Sequence, residues 1–288
     1  VDEGCTHCIM EVSSQAMKMN RIYGEHYKVG VFTNIDYDHI SPTEHASMED
    51  YLGCKVSFLK QCDNVVLYSD TRYFETIYNE VRDKHVVVYG SKESIEKLMS
   101  RDDDFFEKLE GVEIRRKIRL RIYDPNNEDL TDHNSYFELI YGGENRAYNT
   151  NLIGDYNVEN IVAAIISSLL IGIPNDQIRS SIRDVYVPGR LQVYHWKDRT
   201  FMIDYAHNYI SMYRLYEMVK KTMKPKSITV VFGCGGERYK KRREDMGRLA
   251  EQYADKVVLT MEDPGFESCE EICKEIKQYI TKPCYIIV

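Results

Sequence analysis

Three clusters of polar residues carry types and spacings that could do chemistry. Near the start, the apolar run Ile9-Met10-Glu11-Val12 sets a carboxylate directly before Ser13-Ser14-Gln15, and a second apolar run ending in Thr33-Asn34 leads into Asp38-His39. A carboxylate and a neutral imidazole can together hold a divalent ion such as Mg²⁺, which keeps positions open for nucleotide phosphates. On residue type alone, Glu11 also suits a helix cap, Asp38-His39 a turn, and Lys55 a solvent-facing helix position. In the second cluster, Val187-Pro188-Gly189-Arg190 precedes Ile203-Asp204-Tyr205-Ala206-His207-Asn208. Its proline fixes one backbone angle and its glycine frees the next, as a hinge requires. In the third, Gly233-Cys234-Gly235-Gly236-Glu237-Arg238 follows an apolar run and precedes Arg242 and Arg243. Glycines after a parallel strand let backbone N–H groups approach an anion. Two arginines at a helix start oppose its dipole and point to an anionic partner.

The elements that must position these groups alternate. Apolar blocks at 8–12, 29–34 and 64–68 read as strands and 14–21 and 48–61 as helices, the pattern of a parallel sheet with crossover helices. The blocks 85–89, 112–123, 136–141 and 146–152 are short, separated by polar turns, and read as antiparallel. A helix over 158–170 ends at Gly172 and Pro174, with Asn157 suited to cap its start. Beyond the hinge come a hairpin over 191–203, helices at 211–222, 242–254 and 267–279, and strands at 227–232, 256–260 and from Cys284. The expected class is α/β, in two domains.

Bulk properties narrow the function. The 288 residues are 43% hydrophobic with net charge -8, so a large core is affordable and the clustered basic surface that nucleic acid demands is not expected. The basic run at 115–117 reads as a solvated strand face. The longest apolar stretch, Ile161 to Ile171, falls short of the ~20 residues of a membrane span. Eight cysteines at irregular positions suit free thiols, and Cys5 and Cys8 lack the second pair that structural zinc requires.

Taken in order and spacing, Met10-Glu11-Val12-Ser13-Ser14, Val31-Phe32-Thr33-Asn34, Asp38-His39, Met48-Glu49-Asp50-Tyr51 and Lys55 resemble the Mur ligases that add the third residue of the peptidoglycan stem. The resemblance implies that Glu11 and His39 bind Mg²⁺ and that Lys55, carbamylated by CO₂, supplies a further anionic ligand. It implies that Ser13 and Arg21 hold the nucleotide-sugar peptide, although Ser-Ser-Gln-Ala replaces the usual Ser-Ser-His-Gly. Gly154-Asp155-Tyr156-Asn157 with Asn160 is similar to the segment whose first asparagine, here Asn157, contacts adenine. In the hinge motif Arg190 would reach ATP phosphate and Asp204 the ribose, with His207 beside the cofactor.

The implied fold is the Mur ligase central ATP-binding domain, a mostly parallel sheet with helices plus a small antiparallel sheet, over residues 1–187. A truncated Rossmann-like C-terminal domain follows over 188–288. The implied reaction is ATP-dependent amide formation on UDP-N-acetylmuramoyl-L-alanyl-D-glutamate with a free amino acid, in the cytoplasm and as a monomer. Diaminopimelate-adding relatives carry Asp-Asn-Pro-Arg where this chain has Glu262-Asp263-Pro264-Gly265. An acidic loop without a guanidinium favours L-lysine on charge. Arg242, Glu262 and Asp263 are therefore candidate substrate residues. The family's Gly-rich phosphate loop occurs nowhere in the 288 residues, so the chain is expected to be a fragment without ligase activity. A diaminopimelate-adding member, a folylpolyglutamate synthetase-like ligase, a Mur-like amidotransferase subunit and a non-catalytic remnant are the rival readings.

Overall fold

A computed structural model describes residues 4–41, 44–100, 110–116, 135–237 and 239–288. The chain packs as two compact units, one built around the first four strands and helices, the other around the last five strands with their helices. Among the described residues no helix is long and apolar enough to cross a membrane.

The first unit is organised by β1 (Tyr27–Phe32), β2 (Cys62–Tyr68), β3 (His85–Ser91) and β4 (Glu110–Arg116), each parallel to the next. Val65, Val66 and Leu67 of β2 and Val87 and Val88 of β3 are wholly buried. Continuous apolar runs of this kind mark strands covered on both faces. Crossovers are made by α2 (Met48–Leu59), α3 (Phe74–Val81) and α4 (Lys92–Met99). In α3 the buried positions Phe74, Ile77, Tyr78 and Val81 follow helical spacing, and they pack in one cluster with Leu59, Val65 and Val88. The sheet continues through β5 (Ser135–Tyr141) to β6 (Glu144–Thr150), joined by Gly142-Gly143, both with positive φ.

Two sequence expectations fail here. The blocks at 85–89 and 112–116 are parallel strands, because α3 and α4, unseen in the periodicity reading, return the chain to the same sheet edge. The rest of the block expected to reach residue 123 lies outside the described residues, as do Lys117 and Arg238. The stretch 8–12 is irregular instead of a strand: among the described residues no ladder takes up its backbone groups, and Ile9 is 98% exposed. It leads into α1 (Ser14–Lys18), shorter than expected because Asn20 adopts a left-handed φ of 53°.

In the second unit, β9 (Thr229–Phe232), β10 (Lys256–Thr260) and β11 (Cys284–Ile287) form a parallel sheet in the order β11-β10-β9. The helices α8 (Lys241–Tyr253) and α9 (Cys269–Lys277) join its core through Met246, Leu249, Ile272 and Ile276. Ahead of them, β7 (Gln192–Trp196) and β8 (Arg199–Ile203) make the expected antiparallel hairpin, and α7 (Tyr209–Met218) runs into a π-helical turn, Val219–Met223. Two further helices, α5 (Asp155–Leu170) and α6 (Asn175–Arg183), precede the hinge segment.

Candidate functional site

The first-unit site grows from the start of α2. Ser47 caps the helix, its Oγ accepting the Asp50 N–H at 3.2 Å, and helical spacing then sets Tyr51 and Lys55 on one face. Lys55 Nζ lies 5.3 Å from the Tyr51 ring centroid and 6.0 Å from that of Phe32. Burial lowers the Lys55 pKa, and the carboxylates of Glu11 and Asp38 pull it back up, so both lie within electrostatic reach of the amine. His39 packs on the same tyrosine, 5.5 Å between centroids. Its backbone is left-handed, φ 59°, and its N–H donates to the buried Asp38 at 2.9 Å. His39 Nδ1 lies 2.8 Å from Glu44 Oε1, a contact that orients the ring. Burial, then Asp38, Glu44 and Asp36, raise the Tyr51 hydroxyl pKa well above its usual value. Asp38, His39 and Lys55 thus gather around one tyrosine, with Glu11 in electrostatic reach of the Lys55 amine. Asp38 already stood in the motif beside His39, whereas Glu44 carried no functional assignment in the sequence.

Anionic oxygens, one imidazole nitrogen and a partly buried amine form a donor set that fits a hard divalent cation once the amine is made anionic. Among the described residues, the tightest cluster of conventional ligand atoms is a different one: His45, Asp50 and Cys54, all within 4.8 Å. Lys18 Nζ sits 2.7 Å from Asp50, and this contact, then the Ala46 N–H, lowers the Asp50 carboxyl to about 2.

Ser13 caps α1, its Oγ accepting the Ala16 N–H at 3.1 Å, and its side chain is exposed. Arg21 is also exposed, beyond the helix end, with Nη2 3.3 Å from Met19 Sδ.

The second-unit site gathers the hinge motif. Asp204 accepts from the Leu191 N–H at 3.0 Å and the Ala206 N–H at 2.8 Å, which locks the ends of the hairpin together. The Arg190 guanidinium lies 4.6 Å over the Tyr205 ring, and His207 Nδ1 lies 2.9 Å from the Tyr205 carbonyl. Tyr156 is held near both: burial raises its pKa, Asp204 raises it further, and Arg190 opposes. The neighbouring Asn157 is buried and donates from Nδ2 to the Ile153 carbonyl at 2.8 Å. Asn157 is therefore inside α5 and not its cap, because the helix starts two residues earlier, at Asp155.

The third cluster is bound more tightly to its own chain than its glycines imply. A Cβ on Gly236 would stand 1.8 Å from the Pro264 carbonyl oxygen, and one on Gly233 2.4 Å from that of Thr260. These glycines let two loops abut, with the Gly236 N–H donating to the Asp263 carbonyl at 2.9 Å. Arg243 is buried, and its anionic partners are internal: Glu275 at 2.7 Å and Glu267 at 2.9 Å. Arg242 is buried alongside, whereas Glu262 and Asp263 are exposed on the facing loop. The external anion expected for the Arg242-Arg243 pair is thus replaced, for Arg243, by carboxylates of the β10–α9 connection and of α9.

Residues 1–168 match the Mur ligase middle domain and residues 189–287 the Mur ligase glutamate ligase domain. A UDP-N-acetylmuramyl-tripeptide synthetase of Limosilactobacillus reuteri is 37% identical over 97% of this chain and 54% of its own length. A UDP-N-acetylmuramoyl-L-alanyl-D-glutamate–L-lysine ligase of Enterococcus faecalis is 34% identical over 100% of this chain and 53% of its own. The chain thus spans about half the length of these curated relatives. A pseudomurein peptide ligase type C from Methanothermus fervidus shares the fold at a TM-score of 0.63 and 19% identity, over 96% of this chain and 55% of that one. With both of its halves matched in order and its described strands in the same architecture, this chain belongs to the Mur ligase family.

Proposed function

We propose that the chain is the catalytic body of a ligase that adds L-lysine to UDP-N-acetylmuramoyl-L-alanyl-D-glutamate in the cytoplasm. Residues 1–187 would form its central ATP-binding domain and 188–288 its amino-acid-binding domain. The observation that supports this reading best is the grouping of Asp38, His39 and Lys55 around Tyr51, with Glu11 in electrostatic reach of Lys55. The γ-phosphoryl of ATP passes to the D-glutamate side-chain carboxylate, and ADP leaves. The acyl phosphate is attacked by the amine of the incoming residue. The tetrahedral intermediate then expels inorganic phosphate, and the amine loses its proton.

Each group has a part. Burial favours the neutral amine of Lys55, the form that adds to CO₂, releases a proton and becomes a carbamate. With that carbamate, Glu11 and His39 would hold Mg²⁺, which when bound neutralises charge on the transferring phosphoryl group. Ser13 and Arg21 would grip the nucleotide-sugar peptide, the arginine through its planar fork. Asn157 would meet adenine, Asp204 the ribose and Arg190 a phosphate, with His207 beside them.

The loop Glu262-Asp263-Pro264-Gly265 carries two exposed carboxylates and no guanidinium, which suits the side-chain ammonium of lysine. Arg242, behind that loop, would support the carboxylate end. The lysine ligases among the relatives agree with this choice. Nucleic acid is not expected as a partner, and the working state is taken as a monomer. The test is an amino-acid panel with the product of the complete gene. L-Lysine should be the preferred acceptor, and preference for diaminopimelate would reverse the reading.

A further inference from the structure

The first unit contains a buried chain of polar side chains that the proposed donor set does not use. His45 is fully buried, with Nε2 2.9 Å from Ser14 Oγ and Nδ1 3.3 Å from Asp50 Oδ2. Asp50 accepts in turn from Lys18 Nζ at 2.7 Å and from the Ala46 N–H at 3.1 Å. Ser14 and Lys18 are the first and last residues of α1, so both ends of that helix are tied to the start of α2. The His45 ring also packs on Tyr51, 5.2 Å between centroids, the same ring that underlies Lys55.

Two chemical readings of this chain fail on its surroundings. A serine, histidine and aspartate in line suggest nucleophilic catalysis, but Ser14 is 5% exposed, with its hydroxyl facing the buried His45. His45, Asp50 and Cys54 offer three ligand atoms to a cation. The Lys18 ammonium already sits on Asp50, however, and His45 Nε2 is engaged by Ser14. What remains is mechanical. Among the described residues no sheet ladder holds the stretch carrying Glu11 and Ser13, which runs directly into α1.

We propose that His45 is a positioning residue: through Ser14 and Asp50 it pins α1, and with it Glu11 and Ser13, to the helix that carries Lys55. This rests on the metal reading given above. The partners around a ligand set commonly matter for affinity about 10–100-fold although they never touch the ion.

The test compares the 288-residue chain with Ser14→Ala, His45→Phe and, as a control, Val88→Ala. Phenylalanine keeps a ring against Tyr51 while removing both nitrogens, and Ser14→Ala covers the case in which His45→Phe does not fold. Amide hydrogen exchange over residues 11–18 and Mn²⁺ affinity by electron paramagnetic resonance are read on each. Both site variants should exchange this segment roughly five- to tenfold faster, the worth of one hydrogen bond, and bind Mn²⁺ about tenfold more weakly. Val88→Ala should lower the melting temperature and move neither readout. Unchanged exchange in both site variants overturns the pin. Faster exchange with Mn²⁺ affinity within about twofold of the parent reduces His45 to a structural role and overturns the positioning claim. A parent chain that takes up no Mn²⁺ sinks the metal reading and the positioning claim together, while the exchange data alone still judge the contact.

Discussion

Replacing Arg243 by methionine should loosen the loops that the lysine reading depends on. The guanidinium is 3% exposed and holds Glu275 at 2.7 Å and Glu267 at 2.9 Å. Glu267 also accepts the Glu237 N–H at 2.6 Å, so one carboxylate joins α8, the glycine loop and the segment leading into α9. Removing one partner of a fully buried pair costs roughly 3–5 kcal/mol. Here the two glutamates are 26% and 46% exposed and regain water when the arginine goes. Partial screening of this kind brings the expected loss to about 2 kcal/mol, with methionine preserving most of the packing. Urea denaturation followed by circular dichroism reads this as a lower midpoint at unchanged slope for the second unit. A cycle with the Glu267→Gln, Glu275→Gln double variant isolates the ion pairs. A loss below about 0.5 kcal/mol, or the same loss when both glutamates are already gone, would refute the reasoning, since surface pairs of no consequence behave that way.

Other outcomes follow from the same geometry. Lys55→Met should abolish the carbamate resonance seen by carbon-13 NMR under labelled CO₂, and in the complete gene product should lower ligation by roughly 10²–10³-fold, as lost transition-state electrostatics do. A Cβ at Gly236 meets the Pro264 carbonyl oxygen at 1.8 Å, so Gly236→Ala should destabilise the second unit by roughly 1–3 kcal/mol, measured by the same urea titration. Asp50 titrates near 2 in the folded chain against an ordinary 3.8. A depressed carboxyl adds stability above its unfolded pKa and loses it as pH falls through the folded one, so the first unit should weaken between about pH 4 and 2. Asp50→Asn should flatten that part of the pH–stability curve. Finally, because the 288 residues carry no Gly-rich phosphate loop, they should by themselves turn over no ATP, which a coupled phosphate-release assay would check.

Much of the architecture was legible in the residues themselves. The apolar run at 64–68, the helix expected over 48–61 and the hairpin over 191–203 rest on local signals, read from neighbours a few residues away, and they became β2, α2 and the β7–β8 pair. The motif strings also pointed to Glu11, His39, Lys55, Arg190 and Asp204 without any coordinates, through the resemblance to the Mur ligases that they carry; on residue type alone a cap, a turn and a solvent-facing lysine stayed open. What the chain could not announce is anything that depends on which segment arrives opposite. The run at 8–12 has strand-like residues, but a strand exists only where a ladder accepts its backbone groups. Arg243 reads as a free cation until Glu267 and Glu275, 24 and 32 residues away, close on it. Gly233 and Gly236 read as an anion cradle until the β10–α9 loop fills the space. His45 carries no local signal of its role at all, because its partners Ser14 and Asp50 belong to two helices that only tertiary packing brings to the same imidazole.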